Sequence, residues 1–261
     1  MIFLNLSDEQ FIWNIEELKI LKHSTSLVRN SETGEVFIKK KVDENNVAVL
    51  KKLCNIRHRN LSSVIRVIDE GNQTFSYCEY VPGRSIQSYL DCEETFSEEK
   101  AINIVSQICD GLSVLHSNQI IHRDITAANI IVSADESIKI IDYGISRIPK
   151  ENSSCDTTIL GTAGYAAPEQ FGFYQTDMRT DIYSVGILLN IMLTGKLPNE
   201  AEYDGRPGEI IKRATSIDAD NRFNNVKALK SALHGNDPEA GPSFEKPSKH
   251  PGKIFSAFKK Y

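Results

Sequence analysis

The chain has no long hydrophobic run, no surplus of positive charge and no ordered cysteine pattern. Its longest apolar stretch, Val185 to Leu193, is interrupted by Gly186 and Asn190. That is far short of the ~20 residues a helix needs to cross a bilayer, so no membrane span is expected. Met1-Ile2-Phe3-Leu4 lacks the length and basic start of a secretory signal. A net charge of -5 argues against nucleic-acid binding through a broad basic face. The five cysteines, Cys54, Cys78, Cys92, Cys109 and Cys155, are scattered and form no C-x-x-C pair. This composition points to reduced thiols in a cytoplasmic protein with no zinc site, most of them serving as small buried hydrophobes. No internal repeat is visible.

What remains is an ordinary globular composition, 40% hydrophobic and 25% charged over 261 residues, enough for one large domain or two lobes with a real core. Residues 10–80 read as short strands around one helix. Thr33-Gly34 is a turn between Ser26-Leu27-Val28 and the strand Val36-Phe37-Ile38. A helix is expected from Val47 to Leu53, then strands over Ser63–Ile68 and Thr74–Val81 joined at Gly71-Asn72. Pro82-Gly83 breaks the pattern, and the chain beyond is mainly helical. Ser97 caps a helix with Glu98 and Glu99 in its first turn. Ala101, Ile104, Val105, Ile108, Leu112 and Leu115 follow at helical spacing. Asp181 to Leu193 is apolar nearly all round and should be buried, with Gly195 ending it and Pro198 preventing its resumption. Two more helices are expected over 209–217 and 224–234, then a tail over 235–261.

His122-Arg123-Asp124, Asn129 and Asp142-Tyr143-Gly144 are the most informative residues. Taken singly, such a tripeptide is surface charge or a turn. Together they place a proton acceptor and two oxygen ligands on a turn and a hairpin between the apolar runs Ile120-Ile121, Ile130-Ile131-Val132 and Ile138–Ile141. Two such ligands beside a base suit Mg²⁺-assisted phosphoryl transfer. The spacing resembles the H-R-D-x-x-x-x-N and D-F-G motifs of the protein kinases. The resemblance runs from about residue 12 to 234 and narrows, through Ile125–Ala128, Tyr165–Gln170 and Thr180–Ser184, to a bacterial, Gram-positive-type branch of the Ser/Thr kinases. It implies an α+β, two-lobed fold: a β-rich lobe over 1–81 and a helical lobe over 82–234.

By that resemblance, Asp124 orients the substrate hydroxyl and takes its proton, and Asn129 and Asp142 hold Mg²⁺ on the phosphates of ATP. Gly161 to Gln170, with Ala167-Pro168-Glu169, resembles the end of an activation segment. Gly161-Thr162 there implies Ser/Thr specificity, with Thr162 bonding Asp124 and Glu169 pairing with Arg222. Arg123 is positioned to bind a phosphate on that segment, at Thr158 or alternatively Thr157 or Ser154. In Cys78-Glu79-Tyr80-Val81, which resembles the hinge, the Glu79 carbonyl and Val81 N–H would bond adenine. The nucleotide lysine is Lys40 or Lys39, since Lys39-Lys40-Lys41 continues the strand that carries V-A-I-K in the family.

Three departures stand out. Leu21 to Val28 replaces the glycine-rich loop, with Ser24 and Ser26 as the small residues. Asn46 stands where the helix glutamate is expected, and Glu44 is out of register. Thr126 replaces a lysine that would offset phosphate charge. The expected activity is a protein Ser/Thr kinase using ATP and Mg²⁺, with self-association for autophosphorylation. A scaffold module without turnover and a small-molecule phosphotransferase are the alternatives.

Overall fold

The computed structural model describes residues 7–22, 24–146, 162–171 and 176–236. It begins with a short helix that the sequence reading did not contain, α1 (Asp8–Trp13), closed by a reciprocal capping box between Ser7 and Gln10. A five-stranded antiparallel sheet follows, in the order β1-β2-β3-β5-β4. Its strands are β1 (Ile15–Lys22), β2 (Thr25–Asn30), β3 (Val36–Lys41), β4 (Val64–Glu70) and β5 (Gln73–Glu79). The helix α2 (Val47–Leu53) lies between β3 and β4, preceded by a 3-10 turn over Glu44–Asn46. The helix and both later strands fall within two residues of their expected bounds.

Strand alternation divides β3 between two environments. Phe37 joins a small core with Phe11, Val28, Ile68 and Tyr77. Phe11 of α1 is fully buried there, edge-on to Tyr77 at 4.9 Å and to Phe37 at 5.7 Å. The opposite face of β3 looks into the cleft.

The helical lobe contains α3 (Ile86–Leu90), α4 (Glu98–Ser117), α5 (Arg179–Thr194), α6 (Arg206–Ala214) and α7 (Val226–Leu233). Ser97 caps α4 by accepting from the Lys100 N–H at 3.3 Å. In α5 every residue from Thr180 to Leu193 except Tyr183 is buried, and Gly195 ends the helix in the left-handed region at φ 73°. A three-stranded sheet, β6 (Arg84–Ser85), β7 (Ile130–Val132) and β8 (Ile138–Ile140), underlies the cleft. Gly83 leads into it with φ 151°; a Cβ there would lie 2.4 Å from the Val132 carbonyl oxygen, so only glycine lets the chain pass this close to β7.

The two halves are stitched by backbone. Ser62 N–H donates to the Ile140 carbonyl and Ile140 N–H to the Asn60 carbonyl, both at 2.9 Å. Asn60 is fully buried, and its amide reaches the Ile138 carbonyl and Gln107 at 3.1 Å each. Among the described residues no helix is long and apolar enough to cross a membrane. Most of the expected tail, 237–261, lies outside the described residues.

Candidate active site

Asp124 sits on the turn before β7, half-buried, with both carboxylate oxygens committed. Oδ1 accepts from the Thr162 hydroxyl at 2.7 Å and Oδ2 from the Asn129 amide at 2.8 Å. Asn129 also donates to the Asp124 carbonyl at 2.9 Å, which leaves its Oδ1 as the atom for a cation. The Asn129 carbonyl accepts from Ile141 N–H at 2.9 Å, tying this turn to the segment after β8 that carries Asp142. Asp124, Asn129 and Thr162, residues far apart in sequence in the last case, are thus brought together.

Asp142 adopts φ 65° and its carboxylate faces Lys40, with Nζ 2.6 Å from Oδ1 and 2.7 Å from Oδ2. Burial alone pushes the Asp142 carboxyl upward. The Lys40 ammonium, its hydrogen bonds and the Gly144 N–H at 3.0 Å more than offset this, and hold it below the usual carboxylate range. Lys39, the other candidate for the nucleotide lysine, is corrected by this geometry. It projects from the opposite face of β3, bonded to Glu70 at 2.6 Å with its ammonium 4.3 Å from the Phe75 ring centroid. Adjacent residues on a strand point to opposite sides, so only one lysine could face Asp142.

The roof is built without glycines. Lys40 pairs with Thr25 across β2/β3, and Thr25 pairs with Lys22 across β1/β2, beside a bulge between Ile20 and Lys22. Directly paired residues project to the same face, so Lys22 shares the cleft face with Lys40. At the back of the cleft, Cys78 lies opposite Ile38, and burial pushes its thiol up to about 12. Glu79 donates its N–H to the Ser63 carbonyl at 2.8 Å, and its side chain pairs with Lys139 at 2.9 Å. Val81 follows, half-buried, one residue before Pro82.

The turn that carries Asp124 hangs on Asp181, which is fully buried in α5. Its carboxylate accepts from the backbone N–H of His122 at 3.0 Å and of Arg123 at 2.8 Å, and lies 2.7 Å from His116 Nε2. Burial opposes its charge, but the His116 bond, the two nearby imidazoles and the His122 N–H keep its carboxyl below the usual range. Arg123 is buried at φ 69°, and its carbonyl accepts from Gln170 at 2.9 Å. Asp181, His116 and Gln170 were not singled out in the sequence. The signal available was a lone carboxylate at the start of the most apolar helix, which must find buried donors. The phosphate sites considered for Arg123, namely Thr158, Thr157 and Ser154, lie outside the described residues, as does Gly161.

Glu169 and Arg222 form the expected pair. Nη1 reaches Oε1 at 2.7 Å and Nη2 reaches Oε2 at 2.9 Å, and the Arg222 side chain is fully buried.

His122 is also fully buried, its ring edge-on to Tyr143 at 5.5 Å. Burial lowers its pKa despite the surrounding carboxylates. The unfolded chain therefore takes up a proton below about pH 6.5 while the folded chain resists it. Stability is full above that value and declines as pH falls toward the lower folded value. The melting temperature should fall between pH 7 and 5.5, and His122→Phe, which keeps a ring against Tyr143, should remove part of that fall in a calorimetric pH series.

Residues 24–251 match the protein kinase domain family. The chain belongs to that family. This kinase domain is 34% identical over 186 residues to a probable serine/threonine-protein kinase of Clostridium acetobutylicum, covering 71% of the chain and 27% of the relative. It is 36% identical over 148 residues to the serine/threonine-protein kinase PknB of Mycobacterium leprae (53% and 24%). It is 33% identical over 159 residues to the mitogen-activated protein kinase kinase kinase dlk-1 of Caenorhabditis briggsae (61% and 19%). The kinase domain thus matches about a quarter or less of the length of these relatives.

Proposed function

We propose that this kinase domain transfers the γ-phosphoryl group of Mg²⁺-bound ATP to Ser or Thr hydroxyls of a protein. The observation that carries the proposal is the Asp124 carboxylate, fixed by Thr162 on one oxygen and Asn129 on the other. A base so oriented accepts a hydroxyl proton as the oxygen attacks, and such transfer depends on positioning and electrostatics more than on basicity. The names of the bacterial relatives support Ser/Thr as the acceptor.

The donor set fits the metal. Asn129 Oδ1 and the Asp142 carboxylate are hard oxygen ligands. Among the described residues there is no cluster of three or more His, Cys, Asp and Glu side chains that could hold a metal by itself. Two protein oxygens completed by phosphate and water suit Mg²⁺, which when bound would neutralise charge on the phosphates. Lys40 would exchange Asp142 for a phosphate oxygen, and Lys22 would add a second cation from the roof. The Glu79 carbonyl and Val81 N–H would take the adenine. We further take 1–81 and 82–234 as the lobes, and autophosphorylation through self-association as the route by which Arg123 gains a phosphate partner. A cytoplasmic site of action accords with the free thiols of Cys54, Cys78, Cys92 and Cys109.

One observation favours a second reading, a nucleotide-binding scaffold without turnover: Lys40 already neutralises Asp142. Incubation with Mg-ATP and a protein mixture, followed by phosphosite mapping, separates the readings. The proposal expects phosphoserine and phosphothreonine on protein. Binding of ATP with no transfer would support the scaffold, and labelling of metabolites alone would support a small-molecule phosphotransferase.

Lys40→Met should weaken nucleotide affinity and lower kcat/KM by about 10²-fold, about 2.7 kcal/mol of transition-state stabilisation. Lys39→Met should leave kcat/KM within about threefold and be felt as a modest loss of stability, because Glu70 loses its ion-pair partner and keeps only the Tyr77 hydroxyl. Steady-state kinetics on the two variants checks the assignment.

A further inference from the structure

Asn46 stands immediately before α2, at its N-cap, yet its side chain makes no capping bond to the helix. Its Nδ2 instead donates to the carbonyl oxygen of Gly144. The N–H of that same Gly144 donates to Asp142 Oδ1 at 3.0 Å. The fit around this peptide is close: a Cβ on Gly144 would lie 3.0 Å from both Asp142 Oδ1 and Lys40 Nζ, so either side chain would have to shift by a few tenths of an ångström. A continuous line of contacts therefore runs from α2 through the Asn46 amide and Gly144 to Asp142 and Lys40. The first turn of α2 carries no acidic residue. Glu44 belongs to the preceding 3-10 turn and is exposed, so among the described residues the ion pair of Lys40 is with Asp142 alone.

We infer that Asn46 is a positioning residue that couples α2 to the metal-binding turn. It grips Gly144 by its carbonyl and so keeps the Asp142 carboxylate aimed into the cleft. The inference rests on the phosphoryl-transfer reading above and deepens it. An amide makes this tie without a charge, so no helix carboxylate competes for Lys40. The lysine can then leave Asp142 for a phosphate, and the neutral link stays in place while it moves. The direction of the bond is the essential feature: the partner is a carbonyl, so position 46 must donate.

Asn46→Asp tests this directly. Asp has the shape of Asn but, ionised, cannot donate to a carbonyl. As an N-cap at the positive end of a helix, it should leave the stability of α2 unchanged or raise it. A packing or capping role for Asn46 therefore predicts a healthy Asn46→Asp variant and a damaged Asn46→Ala variant, whereas the positioning role predicts that both lose function. The readouts are melting temperature, ADP affinity by calorimetry with and without Mg²⁺, and kcat against KM with Mg-ATP. For Asn46→Asp we expect an unchanged or higher melting temperature and unchanged metal-free ADP affinity. The enhancement of ADP binding by Mg²⁺ should fall about 10-fold, with kcat lowered about 10- to 10²-fold, the range seen when a group that orients a metal ligand is removed. Asn46→Asp with parental Mg²⁺ enhancement and kcat would overturn the inference. The calorimetric arm does not need turnover: a parent that binds Mg-ADP but transfers no phosphate ends the catalytic reading and leaves the Asn46 comparison valid. A parent whose ADP affinity ignores Mg²⁺ overturns both.

Discussion

Asp124→Asn should lower kcat about 10³-fold while leaving the melting temperature and the KM for ATP near parental values. The expectation follows from the two hydrogen bonds that fix the carboxylate. Oδ2 receives the Asn129 amide and Oδ1 the Thr162 hydroxyl. An asparagine can keep an oxygen toward Asn129 and turn its amide toward Thr162, whose hydroxyl accepts as readily as it donates. The local geometry therefore survives, and the nucleotide contacts proposed for Lys40, Glu79, Val81 and Asp142 are untouched. What disappears is the proposed proton acceptor. General-base assistance is worth about 10²- to 10⁴-fold, and 10³-fold corresponds to about 4 kcal/mol in the barrier. Thr162→Ala probes the other side: it frees one carboxylate oxygen to rotate but retains the base, so its loss in kcat should be far smaller than that of Asp124→Asn. Stopped-time phosphate incorporation with the parent and both variants measures the order.

Removing either partner of the Glu169–Arg222 pair should cost about 3–5 kcal/mol of stability. The size follows from burial and from how completely the guanidinium is used. Arg222 gives Nη1 and Nη2 to the two Glu169 oxygens. Nε goes to the Ser216 carbonyl at 2.8 Å, and the remaining N–H groups go to Arg179 and Ile217 carbonyls at 3.1 and 3.3 Å. Thr180 adds a hydroxyl to Glu169 Oε1 at 2.8 Å. Glu169→Gln leaves a fully buried cation without its counter-charge; Arg222→Met leaves a buried carboxylate with only Thr180. At about 2–4 °C per kcal/mol for a chain of this size, each should lower the melting temperature by roughly 6–20 °C. The double variant should be less destabilised than the sum of the singles, because the second change removes the charge stranded by the first. Scanning calorimetry on the four proteins checks both statements.

The residues proposed to carry chemistry could be picked out of the sequence because their spacing is local. Asp124, Asn129 and Asp142 are fixed relative to one another by a short turn and a hairpin, and apolar runs mark the strands between them. The helices α4 and α5 were legible from periodicity, from Ser97 as the start of the first and from Gly195 as the end of the second. Choices that depend on a distant partner were not. Lys39 and Lys40 are neighbours of the same type, and which one faces the cleft is decided by Phe11, which draws Phe37 to the outer face and with it Lys39. α1 itself has six residues, too few for a periodic signal. Asn46 and Asp181 act through contacts to Gly144 and to the backbone of residues 122 and 123, links that no spacing in the sequence encodes. The missing glycines and helix carboxylate were visible as departures. The register that puts Lys22 in line with Thr25 and Lys40, and the contact of the Asn46 amide with Gly144, became visible only in the structure.

The central claim is that the base and the metal ligands form a working site beneath a roof that lacks the family's glycines. The most direct measurement follows ATP affinity and phosphoryl transfer together in one preparation as Mg²⁺ is raised. The account predicts that ATP binding tightens with Mg²⁺ and that phosphate appears on Ser or Thr over the same concentration range. ATP bound equally well without Mg²⁺, and no phosphate on protein at saturating Mg²⁺, would contradict it.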